Sequence, residues 1–445
     1  MLRNFQNVFR IPELRKKLLF TLALLVVFRF GCHVTVPGIN PVALAEFWSR
    51  IQGTLFGLYD MFVGGAFKQV TIFALGIMPY ISASIILQLL GSVLPFFQKL
   101  QKEGEEGRKK ITQYTRYGTV ILALFQSYGV SIFIERQVSP SGLAVVPNPG
   151  WGFRLMTMIT ITAGTVFLMW LGEQITDKGI GNGISLIIFV GIIARFPGAV
   201  LTEIRQLIAG NRSIVTLLFL FALMIAVIAA VVFMTQGQRK IPVQYAKRVV
   251  GRKIYGGQST HIPLRVNTAG VIPIIFAQAI MFVPQTIATF LGGSETIQTI
   301  VSRLSLQSPI YWFFYGTLIV FFAYFYTAVV LNPVDLADNM KKYGGFIPGV
   351  RPGKRTADYI NRVLTRITLP GAIYLAMIAV FPYFIVKAMK GNVSAAFSNF
   401  LGGTGLLIMV GVALDTLQQI ESHLLIRHYD SFMGKTRLRG RKRFL

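Results

Sequence analysis

The stretch IVTLLFLFALMIAVIAAVVFM, residues 214–234, decides the class of the fold. It runs for 21 residues without a single charge, and about 20 apolar residues in a helix cross the hydrocarbon core of a bilayer. A second run of this kind, IYWFFYGTLIVFFAYFYTAVVL, occupies residues 310–331. Both runs predict transmembrane helices, so we expect an integral membrane protein.

Further apolar segments lie on either side of these two runs. The composition agrees with a membrane protein, because only 14% of the residues are charged, whereas soluble domains carry about 25%. We therefore predict an all-α membrane protein with ten transmembrane helices. The predicted spans are 18–36, 71–94, 115–135, 153–172, 181–201, 214–235, 268–291, 309–331, 369–389 and 400–421. The second and fifth contain more glycine and polar residues, so we expect them to face protein or water rather than lipid.

The positive charge of the chain is distributed unevenly. Lys and Arg number 44 against 17 Asp and Glu, which gives a formal net charge of +27. Such a balance is typical of nucleic-acid-binding proteins and of membrane proteins with basic cytoplasmic loops. If the N-terminus is cytoplasmic, 33 of the 44 basic residues fall on the cytoplasmic side. This asymmetry predicts that both termini are cytoplasmic, and it explains most of the charge without a nucleic-acid partner.

The ten spans divide into two halves of five, residues 1–208 and 209–423, followed by a basic cytoplasmic tail at 424–445. Because each half contains an odd number of spans, the halves must be inserted in opposite orientations, as in an inverted repeat. No sequence identity between the halves is visible, so this prediction rests on topology alone.

Two cytoplasmic loops are too long to be simple connections. Residues 236–267 alternate β-branched and polar residues on both sides of Gly251, which predicts a β-hairpin. Residues 332–368 contain Pro, Gly and basic clusters, so we expect an ordered but irregular protrusion. Neither loop contains the Ser/Gly runs that are typical of flexible linkers.

Residues 53–70, GTLFGLYDMFVGGAFKQV, are apolar and rich in glycine but too short to span a bilayer. They precede the second span on the external side, which predicts a re-entrant helix beside a water-filled cavity. The alternative is a helix that lies on the membrane surface. Arg29 is in the external half of the first span, and we expect its side chain to extend toward the interface.

No residue pattern in the spans indicates catalysis or ion coupling. Ion-coupled transporters place ionisable side chains at mid-membrane, whereas no predicted span here carries an acidic residue near its centre. The four histidines form no HExxH pair, and there is no Walker-type loop. The single cysteine, Cys32, excludes a disulfide framework and a cysteine-based metal site. We therefore expect no catalytic residue, metal site or cofactor, which argues against a solute transporter and an intramembrane enzyme.

Five stretches of the sequence resemble the SecY family of bacterial protein translocases. FALGIMPYISASIILQLL (73–90) is similar to the second span of that family, and GIGNGISLIIF (179–189) to the fifth. The others are the loop and seventh span at 246–280, the loop at 331–360, and GGTGLLIMVGVALDT (402–416) of the tenth span. The resemblance covers most of the chain in the family's order. It implies a protein-conducting channel, not an enzyme, with an hourglass pore between two inverted halves.

The resemblance implies a ring of aliphatic side chains at the constriction of the pore. A ring of branched apolar side chains can gate by dewetting, and it offers no charge that would trap a passing chain. Isoleucine at helical spacing is otherwise typical of core or lipid-facing positions, so the assignment rests on the resemblance. The ring residues are Ile81, Ile85, Ile184, Ile188, Ile275 and Ile408.

The resemblance also assigns residues 54–66 to a plug that fills the external cavity at rest. The plug residues are Leu55, Phe56, Leu58, Tyr59, Asp60, Met61 and Phe62. The second and third spans would face the seventh and eighth across a lateral gate, through which apolar segments leave into lipid.

Glycine and proline residues allow two interpretations in the spans. Those in the gate helices could be flexing points, because both residue types weaken the helical hydrogen-bond ladder, or they could be ordinary kinks. They are Gly76, Pro79, Gly270, Pro273 and Pro284. Gly181 and Gly183 instead predict close helix packing.

Finally, the resemblance implies partners. SecE would clamp the two halves, usually with SecG, and signal sequences and nascent polypeptides would enter the pore from the cytoplasm and exit across or into membrane lipid. The SecA ATPase and the ribosome, whose RNA phosphates attract basic side chains, would dock on the cytoplasmic loops of this protein in the bacterial cytoplasmic membrane. The docking residues are Arg248, Arg252, Lys253, Lys341, Lys342 and Arg351, with Lys354 and Arg355 nearby.

Overall fold

A computed structural model of the chain describes residues 11–51, 55–245, 248–250, 253–255, 259–291, 308–389 and 393–435. Most of these residues are helical. The helices up to residue 208 are α1 (Pro12–Gly31), α2 (Pro41–Ile51), α3 (Leu55–Phe62), α4 (Met78–Val93), α5 (Pro95–Lys102), α6 (Glu105–Glu135), α7 (Trp151–Lys178), α8 (Gly183–Ile193) and α9 (Phe196–Ile208). Those that follow are α10 (Ile214–Gln236), α11 (Ile272–Leu291), α12 (Pro309–Val330), α13 (Pro333–Lys342), α14 (Lys354–Ala388), α15 (Ala395–Leu401) and α16 (Gly403–Lys435).

The longest apolar runs form α10 and α12, as predicted. Each helix begins after a serine, Ser213 or Ser308, whose side chain accepts a hydrogen bond from the N–H two residues further on. Much of the apolar surface of these helices is exposed in the isolated chain; Phe233 of α10, for example, is 82% exposed. A helix with so much exposed apolar surface is suited to contact with lipid.

Among the described residues, seven helical segments are long and apolar enough to cross a membrane: Glu105–Glu135, Trp151–Lys178, Gly183–Ile208, Ile214–Gln236, Pro309–Lys342, Lys354–Ala388 and Gly403–Leu425. An eighth would be formed by α4 and α5, between which the chain bends by 96°. The predicted first and seventh spans are helical, as α1 and α11, but do not meet these criteria. Five charged residues lie within α1, at Glu13, Arg15, Lys16, Lys17 and Arg29, while the side chains of α11 are described as a continuous apolar segment over Ile272–Phe282.

The gate-helix glycines and prolines lie mostly at helix starts. Gly76 and Gly270 have φ values of +56° and +61°, which favour glycine because a side chain is strained there. Pro79 and Pro273 are the second residues of α4 and α11, where the missing N–H costs no helical hydrogen bond. These four residues therefore mark helix beginnings, whereas the sequence had allowed either flexing points or ordinary kinks within the helices. Pro284 does lie inside α11.

The hairpin predicted at 236–267 is present. Strand β1 (Gln238–Tyr245) pairs antiparallel with β4 (Ser259–Arg265), and Ile241 lies opposite Ile262. Closer to the tip, β2 (Arg248–Val250) pairs with β3 (Lys253–Tyr255). Gly251 and Arg252, at the tip itself, lie outside the described residues.

The protrusion at 332–368 is more regular than predicted. It contains α13, a short strand β5 (Gly345–Phe346) that pairs with the free edge of β1, and the first part of α14. A shared apolar cluster joins the two loops into one body. Its buried members are Ile241, Val243, Leu264, Met340, Ile347, Ile360 and Leu364. The irregular interpretation was wrong because the basic residues of α14 lie on its exposed face, while Ile360 and Leu364 recur at helical spacing on the face toward the sheet.

The largest apolar cluster lies where residues before and after 208 meet. It includes buried side chains of α1, α3, α4, α8, α11, α12, α14 and α16. Across this seam α4 contacts α11, and α8 contacts α16. The helices that carry the proposed ring residues therefore pack around one common core.

Candidate functional site

The proposed ring residues all belong to the central apolar cluster. Five are buried and Ile184 is partly buried against the cluster: Ile81, Ile85, Ile188, Ile275, Ile408 and Ile184. Ile81 of α4, Ile188 of α8 and Ile275 of α11 line one small cavity together with Phe62 and Val63. The structure therefore places ring residues from three helices directly above the end of α3.

The other three ring residues do not line this cavity. Ile85 and Ile408 lie within the same cluster. Ile184 contacts α7, since a Cβ built on Gly172 would lie 3.1 Å from its Cγ1. The sequence gives no indication of this distinction, because all of these positions are isoleucines in apolar helices.

Close backbone packing positions α8. Asn182 precedes the helix and its side chain accepts a hydrogen bond from the N–H of Ser185 at 3.2 Å. A Cβ built on Gly183 would lie 2.0 Å from the carbonyl oxygen of Gly172 in α7, so only glycine fits. The predicted packing role of Gly183 is confirmed, and it fixes the orientation from which Ile188 reaches the cavity.

The re-entrant segment forms a short helix, α3, followed by turns up to Ile77. Leu58, Met61 and Phe62 are buried, and α3 packs against α8. A helix on the membrane surface would keep one face in contact with lipid or water, so this burial favours the re-entrant alternative. The side chain of Leu55 lies outside the described residues.

Aromatic contacts connect α3 to helices on both sides of the predicted gate. The ring of Phe56 stacks on that of Phe133 in α6, with 4.9 Å between centroids. The ring of Tyr59 meets that of Phe282 in α11 edge-on at 5.3 Å. The Tyr59 hydroxyl also donates a hydrogen bond to the carbonyl of Leu75 at 2.8 Å. Helix α11 itself contacts α4 and α6, so these three helices of the predicted gate pack together in this structure.

Charged side chains hold α3 and the turn that follows it. The side chain of Asp60 is fully buried and pairs with Arg195, with 2.8 Å between Oδ2 and Nη1. Arg29 donates from Nη1 to the carbonyl of Gly64 at 2.9 Å, so the prediction that it extends to the interface is wrong. Its guanidinium finds an acceptor inside the protein instead. The sequence did not predict the pairing of Asp60 with Arg195, because a single arginine near the end of a predicted span is usually an ordinary interfacial charge.

A polar cavity of about 500 Å³ lies at the other end of α8 and α16. Its lining is Asn182, Ser185, Arg265, Val412, Asp415, Thr416, Gln418, Gln419 and Ser422. The amide side chains are held in place: Gln419 accepts from the N–H of Gly181 at 2.8 Å, and Gln418 accepts from Arg265 at 3.0 Å. A hydrophilic cavity therefore lies on the same side as the β1–β4 hairpin, and the apolar cavity lies beyond it.

The proposed docking residues are divided between the two loops. Lys341, Lys342 and Arg351 are exposed. The backbone of Arg351 is fixed, because its carbonyl accepts a hydrogen bond from the Thr356 hydroxyl at 2.9 Å. Arg248 and Lys253 are on β2 and β3, where the structure describes the backbone alone, and Arg252 lies outside the described residues. The pairing of β1 with β5 brings the two loops together into one basic surface.

Within the described ranges, no group of three or more His, Cys, Asp or Glu side chains is arranged to bind a metal ion. The site described here consists of proposed ring isoleucines, the end of the short helix α3 beside them, and a separate polar cavity.

Comparison with known proteins identifies this arrangement. The SecY family model matches residues 71–417. The chain belongs to the SecY family. The protein translocase subunit SecY of Aquifex aeolicus is 48% identical over 436 residues, which cover 98% of this chain and 100% of that one. That of Escherichia coli K12 is 47% identical over 431 residues, covering 96% of each. The SecY family forms protein-translocation channels, and this chain is a multi-pass membrane protein of that class.

Solved structures of the SecY fold agree with the architecture. A structure described as a protein-conducting channel has a TM-score of 0.62 at 21% identity and covers 95% of this chain and 94% of that one. A SecY structure, whose plug domain is described as stabilising the closed state of the channel, has a TM-score of 0.63 at 20% identity, with the same coverage. At these identities the likeness shows a shared fold.

Proposed function

We propose that this SecY-family chain conducts unfolded secretory polypeptides across the bacterial cytoplasmic membrane and releases transmembrane segments sideways into lipid. The observation that carries the proposal is the small apolar cavity shared by Ile81, Ile188 and Ile275, closed below by Phe62 and Val63. It lies at the seam between residues before and after 208.

The isoleucine ring would act as the seal of the pore. In the proposed constriction Ile81, Ile85, Ile184, Ile188, Ile275 and Ile408 surround the passing chain. Water is unfavourable in a narrow passage lined by branched apolar side chains, which blocks ions without a specific binding site. An extended polypeptide can displace these side chains, because they form no hydrogen bond or ion pair with it.

Helix α3 would act as the plug of the resting channel, within residues 54–66. Burial of Leu58, Met61 and Phe62 beneath the cavity supports this role. Lateral release would require α4 and α6 to separate from α11, which they contact in the structure. The contact of Tyr59 with Phe282 would break at the same time, so departure of the plug and opening of the gate are expected to occur together.

We further propose ten spans in two inverted halves, with both termini in the cytoplasm. Helices α1 and α11 would be the first and seventh spans. The large apolar side chains of α1 that are exposed in the isolated chain, such as Val26 and Phe30, would then contact lipid. The basic loops would then face the cytoplasm. The distribution of 33 of the 44 basic residues on that side supports this orientation.

The cytoplasmic loops would dock the SecA ATPase and the ribosome. The exposed residues Lys341, Lys342 and Arg351 and the β2–β3 tip with Arg248, Arg252 and Lys253 supply positive charge for acidic side chains or RNA phosphates. The energy for transport would come from these partners, since we expect no enzyme activity of the chain itself. SecE and SecG would complete the complex.

A crosslinking experiment tests the plug and gate together. Cysteines are placed at Tyr59 and Phe282 after Cys32→Ser removes the native thiol, and a short bifunctional maleimide joins them. We expect translocation of a secretory substrate to stop when the two positions are joined by a non-cleavable reagent. With a reducible reagent, thiol addition should restore transport. Unimpaired translocation by the crosslinked protein would contradict the proposal.

A further inference from the structure

The carboxylate of Asp60 is buried in the second half of α3, where one oxygen is held by an ion pair and the other by a hydrogen bond. Oδ2 lies 2.8 Å from Nη1 of Arg195, and Oδ1 accepts a hydrogen bond from the backbone N–H of Lys68 at 2.7 Å. A buried charge is very unfavourable unless it is paired and hydrogen-bonded. The ion pair with Arg195, together with the hydrogen bond from Lys68, therefore stabilises the carboxylate of Asp60 in this position.

Arg195 comes from another part of the chain, at the junction of α8 and α9. The same end of α8 touches the turn that follows α3, because a Cβ built on Gly64 would lie 2.8 Å from the Cα of Gly191. The two backbones are in direct contact there. Arg195 follows Gly191 by about one helical turn, which brings its side chain over α3.

The two members of the ion pair differ in their access to water. The side chain of Asp60 has no exposed surface, whereas that of Arg195 is 32% exposed. If α3 moves away, both charges become hydrated, and an ion pair in water contributes little. The attraction therefore acts on the position seen here and not on a displaced α3.

We propose that Arg195 is a plug-positioning residue, whose ion pair with Asp60 holds α3 in the resting channel and breaks when the channel opens. The inference rests on the assignment of residues 54–66 as the plug. Neither residue lines the cavity of the isoleucine ring. Loss of the pair should therefore make the resting channel leak while translocation continues, a separation that a merely structural ion pair would not produce.

The asymmetric burial predicts an unequal pair of single substitutions. Arg195→Gln leaves the fully buried Asp60 without its cation, and we expect resting ion conductance to rise about 100-fold, as for other buried pairs that lose one partner. Asp60→Asn leaves Arg195, which can turn toward water, so a smaller rise is expected. The double variant Asp60→Asn/Arg195→Gln has no unpaired charge, and it should conduct like Asp60→Asn alone.

Arg205→Gln provides the matched control. Arg205 is an exposed residue of α9, the helix that Arg195 directly precedes, so the same replacement is made nearby without loss of a buried pair. Its conductance should equal that of the wild type. All variants are measured as the complete translocase complex in planar bilayers, and translocation of a secretory substrate in proteoliposomes reports whether each has folded.

Cys32 gives a second readout of the position of the segment after α3. Its thiol is buried and lies 3.9 Å from the carbonyl oxygen of Val63. Displacement of that segment should expose the thiol to a water-soluble maleimide. With cysteines removed from the partner subunits, Arg195→Gln should be labelled faster than the wild type, and Arg205→Gln should not.

Deletion of residues 55–62 separates failure of this inference from failure of the plug assignment. If the deletion raises conductance and labelling but Arg195→Gln does not, the plug stands and the inference is overturned. If the deletion changes neither, the plug assignment fails and the inference fails with it. A loss of translocation in Arg195→Gln that the double variant does not reverse would also overturn it, since it would show a structural role alone.

Discussion

Replacement of Ile188 by asparagine tests the isoleucine seal. Ile188 is only 3% exposed and lines the apolar cavity with Ile81 and Ile275. In the closed channel the new amide would be buried, and Gln278, which also lines the cavity, can pair with only part of its donors and acceptors. Burial of an incompletely paired amide costs about 1–3 kcal/mol. In an open, water-filled pore the amide is hydrated and this cost disappears.

The cost therefore shifts the channel toward the open state. Since about 1.4 kcal/mol corresponds to a factor of ten, we expect the open fraction at rest to rise roughly 5- to 150-fold. The assay is resting ion conductance of the reconstituted complex in a planar bilayer, together with export of a substrate that has a defective signal sequence. Both should increase in Ile188→Asn.

Two controls make the result specific. Ile188→Leu conserves volume and polarity and should conduct like the wild type. Ile187→Asn buries the same amide at the neighbouring position, which is equally buried but lies beside Gly172 of α7. It should destabilise the protein without a matching rise in conductance. Equal conductance of Ile188→Asn and the wild type, or equal increases in both asparagine variants, would refute the reasoning.

Three further predictions concern the surroundings of the pore. Gly191→Ala places a Cβ 3.0 Å from the carbonyl oxygen of Phe62, so it should push the plug segment outward and raise resting conductance, as overpacking by about 1–3 kcal/mol would do. Glu46 accepts hydrogen bonds from Ser139 and Ser141, which hold the pKa of its carboxyl below the usual range. Protonation of Glu46 weakens these bonds, so the backbone amides of the loop that carries the two serines should lose protection from hydrogen exchange as the pH falls through that lowered pKa. Arg351→Glu should weaken SecA or ribosome binding about tenfold or more, and the remaining affinity should depend less steeply on salt.

Each of these three predictions would be contradicted by a specific result. Gly198→Ala is the control for Gly191→Ala, because no atom lies within 4 Å of the added Cβ, and equal conductance of the two would exclude a steric effect on the plug. If the protection of the amides around Ser139 and Ser141 does not change with pH until acid denatures the protein, the Glu46 carboxylate has no such role. Binding measured by sedimentation that is unchanged in Arg351→Glu would remove that residue from the docking surface.

The sequence alone predicts those elements whose residue pattern is contained within one short stretch of the chain. The apolar runs at 214–234 and 310–331 are sufficient for α10 and α12, and the alternation around Gly251 is sufficient for the hairpin, because side-chain period reports secondary structure directly. The early start of α14 at Lys354 was missed, since its first turns are basic and only Ile360 and Leu364 mark the buried face.

Contacts between distant segments could not be predicted in this way. Asp60 and Arg195 are far apart in the sequence, and each resembles an ordinary charge near a membrane surface. Arg29 likewise shows no pattern that would select Gly64 as its acceptor. Which isoleucines share the cavity also depends on helix rotation, which places Ile188 in it and Ile184 against α7. The ring assignment came from family resemblance, and helix packing decides which of its members meet.

The most direct test of the central claim is crosslinking of a stalled secretory chain. Single cysteines are placed at Ile81, Ile188, Ile275 and Ile408 in a Cys32→Ser background, and the substrate carries one reactive group in the segment that spans the membrane. The account predicts adducts at all four positions, dependent on SecA and ATP. Efficient stalling of the substrate without an adduct at any of the four would place the path elsewhere and contradict the account.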